Sequence, residues 1–455
     1  MLKKYALVNL GCPKNLVDGE GMQQKLAEAG YVEAEDFGHA DAIIVNTCGF
    51  IDKAKEESIK ALLELAALKR PGQVLIAAGC LSERYAHDLG RDIPELNGIL
   101  GTQRWVEIAE LIEHAASGES PRWTGKSSAA TSVRRTATAP SAYLKIADGC
   151  SVGCAFCAIP KIKGPHRSKP GDEVIAEARQ LADQGVKEIV LVAQNTTAYG
   201  HDWGQRDALA QLLDRLVEEV PDIPWIRLMY TFPDHITPRL LETMARHDRI
   251  VKYIDLPLQH AHPGMLRAMR RPEMDPREII ALLREAIPGV AVRSAFIVGY
   301  PGEGEEEFGA LLSFLGEAEL DRVGVFTYSQ EEGTLAAALP NQVPGRLARQ
   351  RYRRAMELQQ GISLKENRAL IGREVEVLVE SKAEVPAPQA NGKKRHTSRG
   401  RKDAQSQSVY VGRSYRDAPE VDGVVFVHGE ARVGEIAGVR ITEATEYDVV
   451  GEVVG

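Results

Sequence analysis

The chain is poor in cysteine, with six among 455 residues, and has no excess of positive charge, its formal net charge being −8. Six thiols are too few to staple a chain of this size with disulfides. In a large cytosolic protein they are more often ligands or catalysts. The acidic balance excludes a protein whose whole surface clasps nucleic acid. Long apolar runs are missing too: no stretch approaches the ~20 residues a membrane span needs. Lys3 and Lys4 ahead of Tyr5 to Leu10 imitate a secretion leader, but the run stops at Gly11-Cys12-Pro13, and a strand explains it better. The chain is therefore expected to be cytoplasmic, with no membrane partner.

What is present is ordinary globular material, 44% hydrophobic and 26% charged. That is enough for a large core in about three domains. Residues 1–116 alternate short apolar runs (Tyr5 to Leu10, Ala42 to Asn46, Val74 to Ala78, Gly98 to Gly101) with amphipathic stretches around Val17 to Ala29 and Lys53 to Ala67. Such alternation predicts an α/β fold with a doubly wound parallel sheet. Residues 117–139, rich in Ser, Thr, Ala, Gly and Arg, read as a linker. Over 140–370 strands are expected at Ala142 to Ile146, Glu188 to Ala193, Trp225 to Met229, Tyr253 to Leu256, Ala291 to Val298 and Val323 to Thr327. Six strands with intervening helices predict a (β/α) barrel, complete or open, and a charged helix from Arg346 to Leu370 leads out of it. In 371–455, Glu374 to Val379, Ser408 to Val411, Val424 to Val427, Val433 to Ile436 and Val439 to Ile441 predict a small antiparallel β-barrel. Residues 381–407 interrupt it without periodicity and are expected to be a disordered loop.

The cysteines fall into two groups of three. Cys150, Cys154 and Cys157 stand at Cys-x3-Cys-x2-Cys, just after the first barrel strand, at the face where barrel chemistry sits. Thiolates are soft ligands suited to iron–sulfur clusters. Three of them can hold three irons of a cubane and leave the fourth free to bind a substrate or cofactor. Zinc, which favours four ligands, fits a lone triad poorly, and three unrelated cysteines are the plainer alternative. Cys12, Cys48 and Cys80 are far apart in sequence, yet each lies just past the end of an expected strand. In a parallel sheet all strand C-termini share one edge, so these thiols should converge. The alternative is three buried structural cysteines.

The stretch Asp148-Gly149-Cys150-Ser151-Val152-Gly153-Cys154-Ala155-Phe156-Cys157 resembles the radical S-adenosylmethionine (SAM) superfamily. There the open iron chelates SAM, and one electron cleaves SAM to methionine and a 5′-deoxyadenosyl radical. By the same resemblance Phe156 lies near the adenine. An N-terminal domain with three such cysteines, a radical-SAM barrel and a small terminal barrel together resemble the radical-SAM methylthiotransferase family, in which the terminal barrel is an OB-like TRAM domain. The likeness covers nearly the whole chain except 381–407. It implies an auxiliary 4Fe-4S cluster on Cys12, Cys48 and Cys80, two SAM molecules with different fates, a sulfide or persulfide sulfur source, and an external one-electron donor such as flavodoxin or ferredoxin.

Members of that family modify a transfer-RNA adenosine or the β-carbon of an aspartate in small ribosomal subunit protein twelve, free or in the assembled subunit. Cys157-Ala158-Ile159-Pro160, Tyr253 to Ala261, Leu266 to Pro272 and above all Arg413-Ser414-Tyr415-Arg416-Asp417-Ala418-Pro419-Glu420-Val421-Asp422-Gly423 resemble the ribosomal-protein branch, the RimO type. Gln194-Asn195 departs from that branch, where Gln-Asp is frequent. Charge agrees with the branch: the terminal barrel without its insertion has five basic and twelve acidic residues. An RNA-binding barrel should be basic, whereas an acidic one suits a basic ribosomal protein, and Asp417, Glu420 and Asp422 are expected to form part of that docking surface. The insertion, with seven basic and two acidic residues, could touch ribosomal RNA or be a solvated loop.

Weaker signals complete the reading. Gly299-Tyr300-Pro301-Gly302-Glu303-Gly304 follows a barrel strand, and Gly299 and Gly302 could let backbone approach SAM. Gln194 is a further candidate SAM contact, and Gln259 and His260 are candidates for the substrate pocket; a satisfied polar core position is the plainer reading of each. Lys161 to Lys169 reads as charged surface that could steer an anion. The alternative from another class is an iron–sulfur or zinc protein that binds partners without catalysis.

Overall fold

The computed structural model describes residues 3–127, 134–383 and 408–454. Its first sheet comprises β1 (Lys3–Asn9), β2 (Tyr31–Glu33), β3 (Ala42–Thr47), β4 (Val74–Gly79), β5 (Gly98–Gly101) and β6 (Arg122–Trp123), all parallel, in the order β2-β1-β3-β4-β5-β6. Successive strand residues serve opposite faces. Ile44, Ile76 and Leu100 pack on the helices Pro13–Glu28 and Ile108–Ala116, while Ile43, Val45, Leu75 and Ala77 pack on Asp52–Leu68 and Cys80–Asp92. This is the expected doubly wound sheet. β2 and β6 are additional, and β6 lies inside the stretch expected to be linker. The strand order reverses between β1 and β3, the switch point at which ligands of such sheets bind.

The second sheet is the barrel, and it is open. After β7 (Ser141–Lys145), a small antiparallel pair of β8 (Ala147–Asp148) and β9 (Arg167–Ser168) braces the cysteine loop. Then come β10 (Glu188–Val192), β11 (Trp225–Leu228), β12 (Ile250–Asp255), β13 (Ala291–Val298) and β14 (Arg322–Thr327), in the order β14-β13-β12-β11-β10-β7. Ile189 and Leu191 face the outer helices. Val190 and Val192 face inward with Tyr143, Trp225 and Tyr253, and meet Leu16 and Val17 of the first helix and Leu378, Tyr415 and Ala418 of the terminal barrel. The other two parts of the chain therefore fill the concave face.

The terminal barrel is closed by β15 (Glu374–Lys382), β16 (Val409–Ser414), β17 (Val425–His428), β18 (Ile436–Ala444) and β19 (Val449–Val453), in the order β15-β16-β17-β19-β18. It is not wholly antiparallel, because β17 and β19 run parallel. The two strands expected at 433–436 and 439–441 are largely one, with Val433 and Gly434 in the turn before it. β15 runs on through Ser381 and Lys382, and the rest of the stretch expected to be a disordered loop, 384–407, lies outside the described residues.

One expectation is overturned here. Asp417 and Asp422 are not docking charges on the rim but buried ties to the radical-SAM barrel. Asp417 is paired with Arg322 at 2.6 Å, while Asp422 accepts from the Tyr253 hydroxyl at 2.7 Å and lies 3.3 Å from Arg293. The neighbouring Arg413 bonds Glu188, which Arg227 also holds at 2.7 Å, and Arg416 reaches Asp321 at 2.6 Å. Such inward charges survive burial because each is paired and hydrogen-bonded. Glu420 alone of the three is exposed.

Candidate functional site

Each N-terminal cysteine begins where a strand ends. Cys12 is the extended N-cap of the helix Pro13–Glu28, which Pro13 starts with its preset φ, several residues earlier than periodicity suggested. Cys48 follows β3, and Cys80 is the first residue of the helix Cys80–Asp92. The three loops interlock through the glycines beside the cysteines. A Cβ on Gly11 would lie 2.6 Å from the Cys48 Cβ, and one on Gly49 would lie 2.8 Å from Leu81 backbone and 3.0 Å from that of Cys80. Gly11 also has φ +94°, a left-handed conformation that disfavours any side chain. Asn15 donates to Leu10 O at 2.6 Å, Asn46 donates to Asn15 O at 2.8 Å, and Ser58 Oγ accepts from the Cys48 amide at 2.9 Å.

The thiols act on one another's charge: Cys48 feels Cys12, and Cys80 feels both. Burial raises Cys48 and pushes Cys80 up to about 12. Among the described residues no group of three or more His, Cys, Asp or Glu closes round one point as a single metal ion requires. The loops are brought together, but not as a mononuclear site with bonds of ~2.3 Å would be.

The second triad sits on the loop after β8. Gly149, at φ +77°, lets this loop press on 164–165, where a Cβ would lie 2.2 Å from the Pro165 carbonyl oxygen. The Cys150 amide donates to Gly164 O at 3.1 Å and the Ala155 amide to Met269 O at 2.9 Å. Burial raises Cys150 and pushes Cys157 up to about 12, with Cys154 adding to both shifts. Phe156 packs with Met265, Met269, Tyr300 and Tyr328. Arg271, which residue types alone did not single out, brings Nη1 to 3.8 Å from Cys154 Sγ and stacks over the Phe232 ring.

A cavity of about 560 Å³ opens beside this loop, lined by Ser151, His166, Asn195, His235 and Arg271 among others. Asn195 has a local role: it caps the turn at 196–198 and places Nδ2 3.1 Å from His235 Nδ1, where an aspartate would bring no donor. Burial keeps His235 neutral down to about 4. Buried polar atoms without partners gather around the loop and the barrel mouth, including Gln194 Oε1, His166 Nδ1, Arg271 Nε, His260 Nε2 and Glu303 Oε1. Native interiors rarely leave such atoms unpaired; of these, His260 Nε2 and Glu303 Oε1 face each other at 3.9 Å.

The weaker candidates separate. Gln194 hydrogen-bonds the carboxylate of Asp148, beside the second triad. Gln259, at φ +73°, bridges through its backbone to β13, with Ile297 donating to its carbonyl at 2.8 Å. His260 is fully buried, its Nε2 3.9 Å from Glu303. Gly299 admits the helix Gly345–Arg368, since a Cβ there would lie 2.4 Å from the Ala348 Cβ, whereas around Gly302 there is open space. The basic run 161–169 is not all surface, because Lys163 and His166 are buried. One N-terminal cysteine reaches the radical-SAM part of the chain: Cys80 packs on Ala158 and Ile162, just beyond Cys157. Lys55 and Arg84 hold the buried Glu331 at 2.9 and 2.6 Å.

Comparison with known proteins agrees with this architecture. The uncharacterized protein family UPF0004 matches residues 4–101, the radical SAM superfamily matches 144–315, and the TRAM domain matches 401–454. The radical-SAM methyltransferase TsrM from Kitasatospora setae, solved with cobalamin and a 4Fe-4S cluster bound, shares the fold at a TM-score of 0.53, with 14% identity over 72% of each chain. Ribosomal protein uS12 methylthiotransferases RimO are far more similar. That of Roseiflexus sp. (strain RS-1) is 46% identical over 99% of this chain and 97% of its own. Those of Desulforamulus reducens and Geobacter sulfurreducens are 46% and 43% identical over 99% of both chains. The chain belongs to the RimO family of radical-SAM methylthiotransferases.

Proposed function

We propose that the protein attaches a methylthio group to ribosomal protein uS12, on the β-carbon of an aspartate. The observation that carries this is the 43–46% identity, over 99% of the chain, with relatives of that name. Cys150, Cys154 and Cys157 hold the cluster that binds SAM. Cys12, Cys48 and Cys80 hold a second 4Fe-4S cluster. The donor set fits: three soft thiols in each group, several of them buried and in need of a cation. When bound, the first cluster supplies the electron that cleaves SAM, and the second carries the sulfur.

The chain's own residues bind, orient and exclude water. Phe156 and its aromatic neighbours form an apolar wall beside the first triad. Arg271 neutralises part of the negative charge at Cys154. Glu303 accepts from the amides of Gly299 and Tyr300 and so shapes the turn after β13. Gln194 and His260, each with an unpartnered buried atom, are polar contacts for SAM and substrate respectively. Sulfide or a persulfide, and a one-electron donor such as flavodoxin or ferredoxin, come from outside. Among the described residues of the terminal barrel, eight exposed acidic ones (Glu374, Glu376, Glu420, Glu430, Glu435, Glu443, Glu446, Glu452) outnumber four exposed basic ones (Arg373, Lys382, Arg432, Arg440), which favours a basic protein over RNA. The test is mass spectrometry of small ribosomal subunits from a strain lacking this gene. The methylthio mass on uS12 should vanish and transfer-RNA methylthioadenosine should persist; the opposite pattern would replace this reading by the transfer-RNA one.

A further inference from the structure

Between the two triads lies a buried group of four charges. Lys163, 2% exposed, follows the short helix Ile159–Ile162 that leaves Cys157 and packs under Cys80. Its Nζ lies 2.9 Å from Asp18 and 3.5 Å from Asp148. Asp18 is on the helix capped by Cys12, and Asp148 stands two residues before Cys150. Lys145 bonds the same Asp18 and lies 3.7 Å from Asp148. Two ammonium groups face two carboxylates, so loss of either lysine leaves a buried, uncompensated negative charge. Ile162, the residue before Lys163, packs against Cys80 itself.

We propose that Lys163 is a positioning residue for the N-terminal triad: its buried ammonium, fixed by Asp18 and Asp148 next to the Ile162 that packs on Cys80, makes a cluster on Cys12, Cys48 and Cys80 easier to reduce. This role rests on the second-cluster reading above. Reduction adds one electron and breaks no bond in the protein, so the added negative charge is stabilised by a fixed cation in a low-dielectric interior. A lysine that served only to hold the two parts of the chain together would leave the potential unmoved.

The experiment uses the full chain with Cys150, Cys154 and Cys157 replaced by Ala, which leaves one triad to hold iron. After anaerobic reconstitution the midpoint potential is read by electron paramagnetic resonance during a dithionite titration. Lys163→Met should lower it by an amount worth at least tenfold in the reduction equilibrium, about 59 mV for one electron. Lys163→Arg, which keeps the charge, should recover most of the shift, and Lys145→Met should move it less. An unchanged potential in fully loaded Lys163→Met overturns the role, as does an equal shift in Lys145→Met. A cluster lost in the Met variant but retained in the Arg variant supports the charge; one lost in both overturns it. If the parent with Lys163 intact assembles no cluster, the second-cluster reading has failed and the role falls with it.

Discussion

Arg413→Met tests whether the terminal barrel is welded to the radical-SAM barrel by buried charge. Arg413 is almost wholly buried and bonds Glu188, Glu380 and the Asp417 carbonyl at once. Glu188, fully buried, is held near 2 against an ordinary 4.5 by Arg227 and Arg413, which together outweigh its desolvation. At ~1.4 kcal/mol per tenfold, that difference is worth about 3 kcal/mol. Arg227 stays in the variant and keeps part of it, but Glu380 also loses its partner, and breaking a buried pair by removing one member costs ~3–5 kcal/mol. A loss of about 3 kcal/mol speeds local opening by roughly 150-fold. Hydrogen–deuterium exchange of the β16 amides should show it. A carboxyl held below its ordinary value stabilises the fold above pH 4.5, and that contribution fades as pH falls towards 2. The gap between parent and variant is therefore full at pH 7 and narrows below about 4.5. An acceleration under tenfold at pH 7, or a gap that is the same at pH 7 and pH 3, would refute the reasoning.

Three further outcomes are expected. Reconstituted protein should hold about eight irons; Ala at Cys150, Cys154 and Cys157 should halve the count and abolish 5′-deoxyadenosine, whereas Ala at Cys12, Cys48 and Cys80 should halve it while SAM cleavage continues without methylthio transfer. Gly11→Ala, strained at φ +94° and 2.6 Å from the Cys48 Cβ, should lower iron in the N-terminal triad selectively, which iron analysis in the Cys150, Cys154 and Cys157 variant would show. Reversing the exposed Glu420, Glu430 and Glu435 to Lys should slow uS12 modification several-fold at low salt and little at high salt, with uncoupled SAM cleavage unchanged; a salt-independent effect would remove the docking role.

What could be read from the sequence was what is local or periodic. The Cys-x3-Cys-x2-Cys spacing is a local fact, and all six barrel strands announced themselves as apolar runs between helical stretches. That the loops carrying Cys12, Cys48 and Cys80 lie along one edge was legible although they are far apart in sequence, because parallel strands share one C-terminal edge. β2 and β6, of three and two residues, were too short to leave a pattern. The ties of Lys163 to Asp18 and of Arg271 to Cys154 span more than a hundred residues and carry no periodicity. A basic run such as 161–169 reads as surface until the fold shows which side chains turn inward. Net charge misled in the same way for Asp417 and Asp422: composition counts a buried, paired carboxylate like a free one.

The stretch Arg413 to Gly423 marks this branch of the family most plainly in sequence, and the structure gives that stretch an inward task. Arg413, Asp417 and Asp422 bond residues of the radical-SAM barrel, and Tyr415 and Ala418 fill its concave face beside Tyr143 and Tyr253. A closed barrel would have no room for them; an open one needs something to cover the inner apolar faces of its strands. From the other side the first helix supplies Leu16 and Val17 to the same core, four and five residues from Cys12. Terminal barrel and first helix thus share one packed interior with the inner faces of the radical-SAM strands. Interiors packed at crystal-like density resist displacement, so the two barrels behave as one rigid unit. Arg413, Asp417 and Asp422 therefore fix how the terminal barrel sits on the radical-SAM barrel.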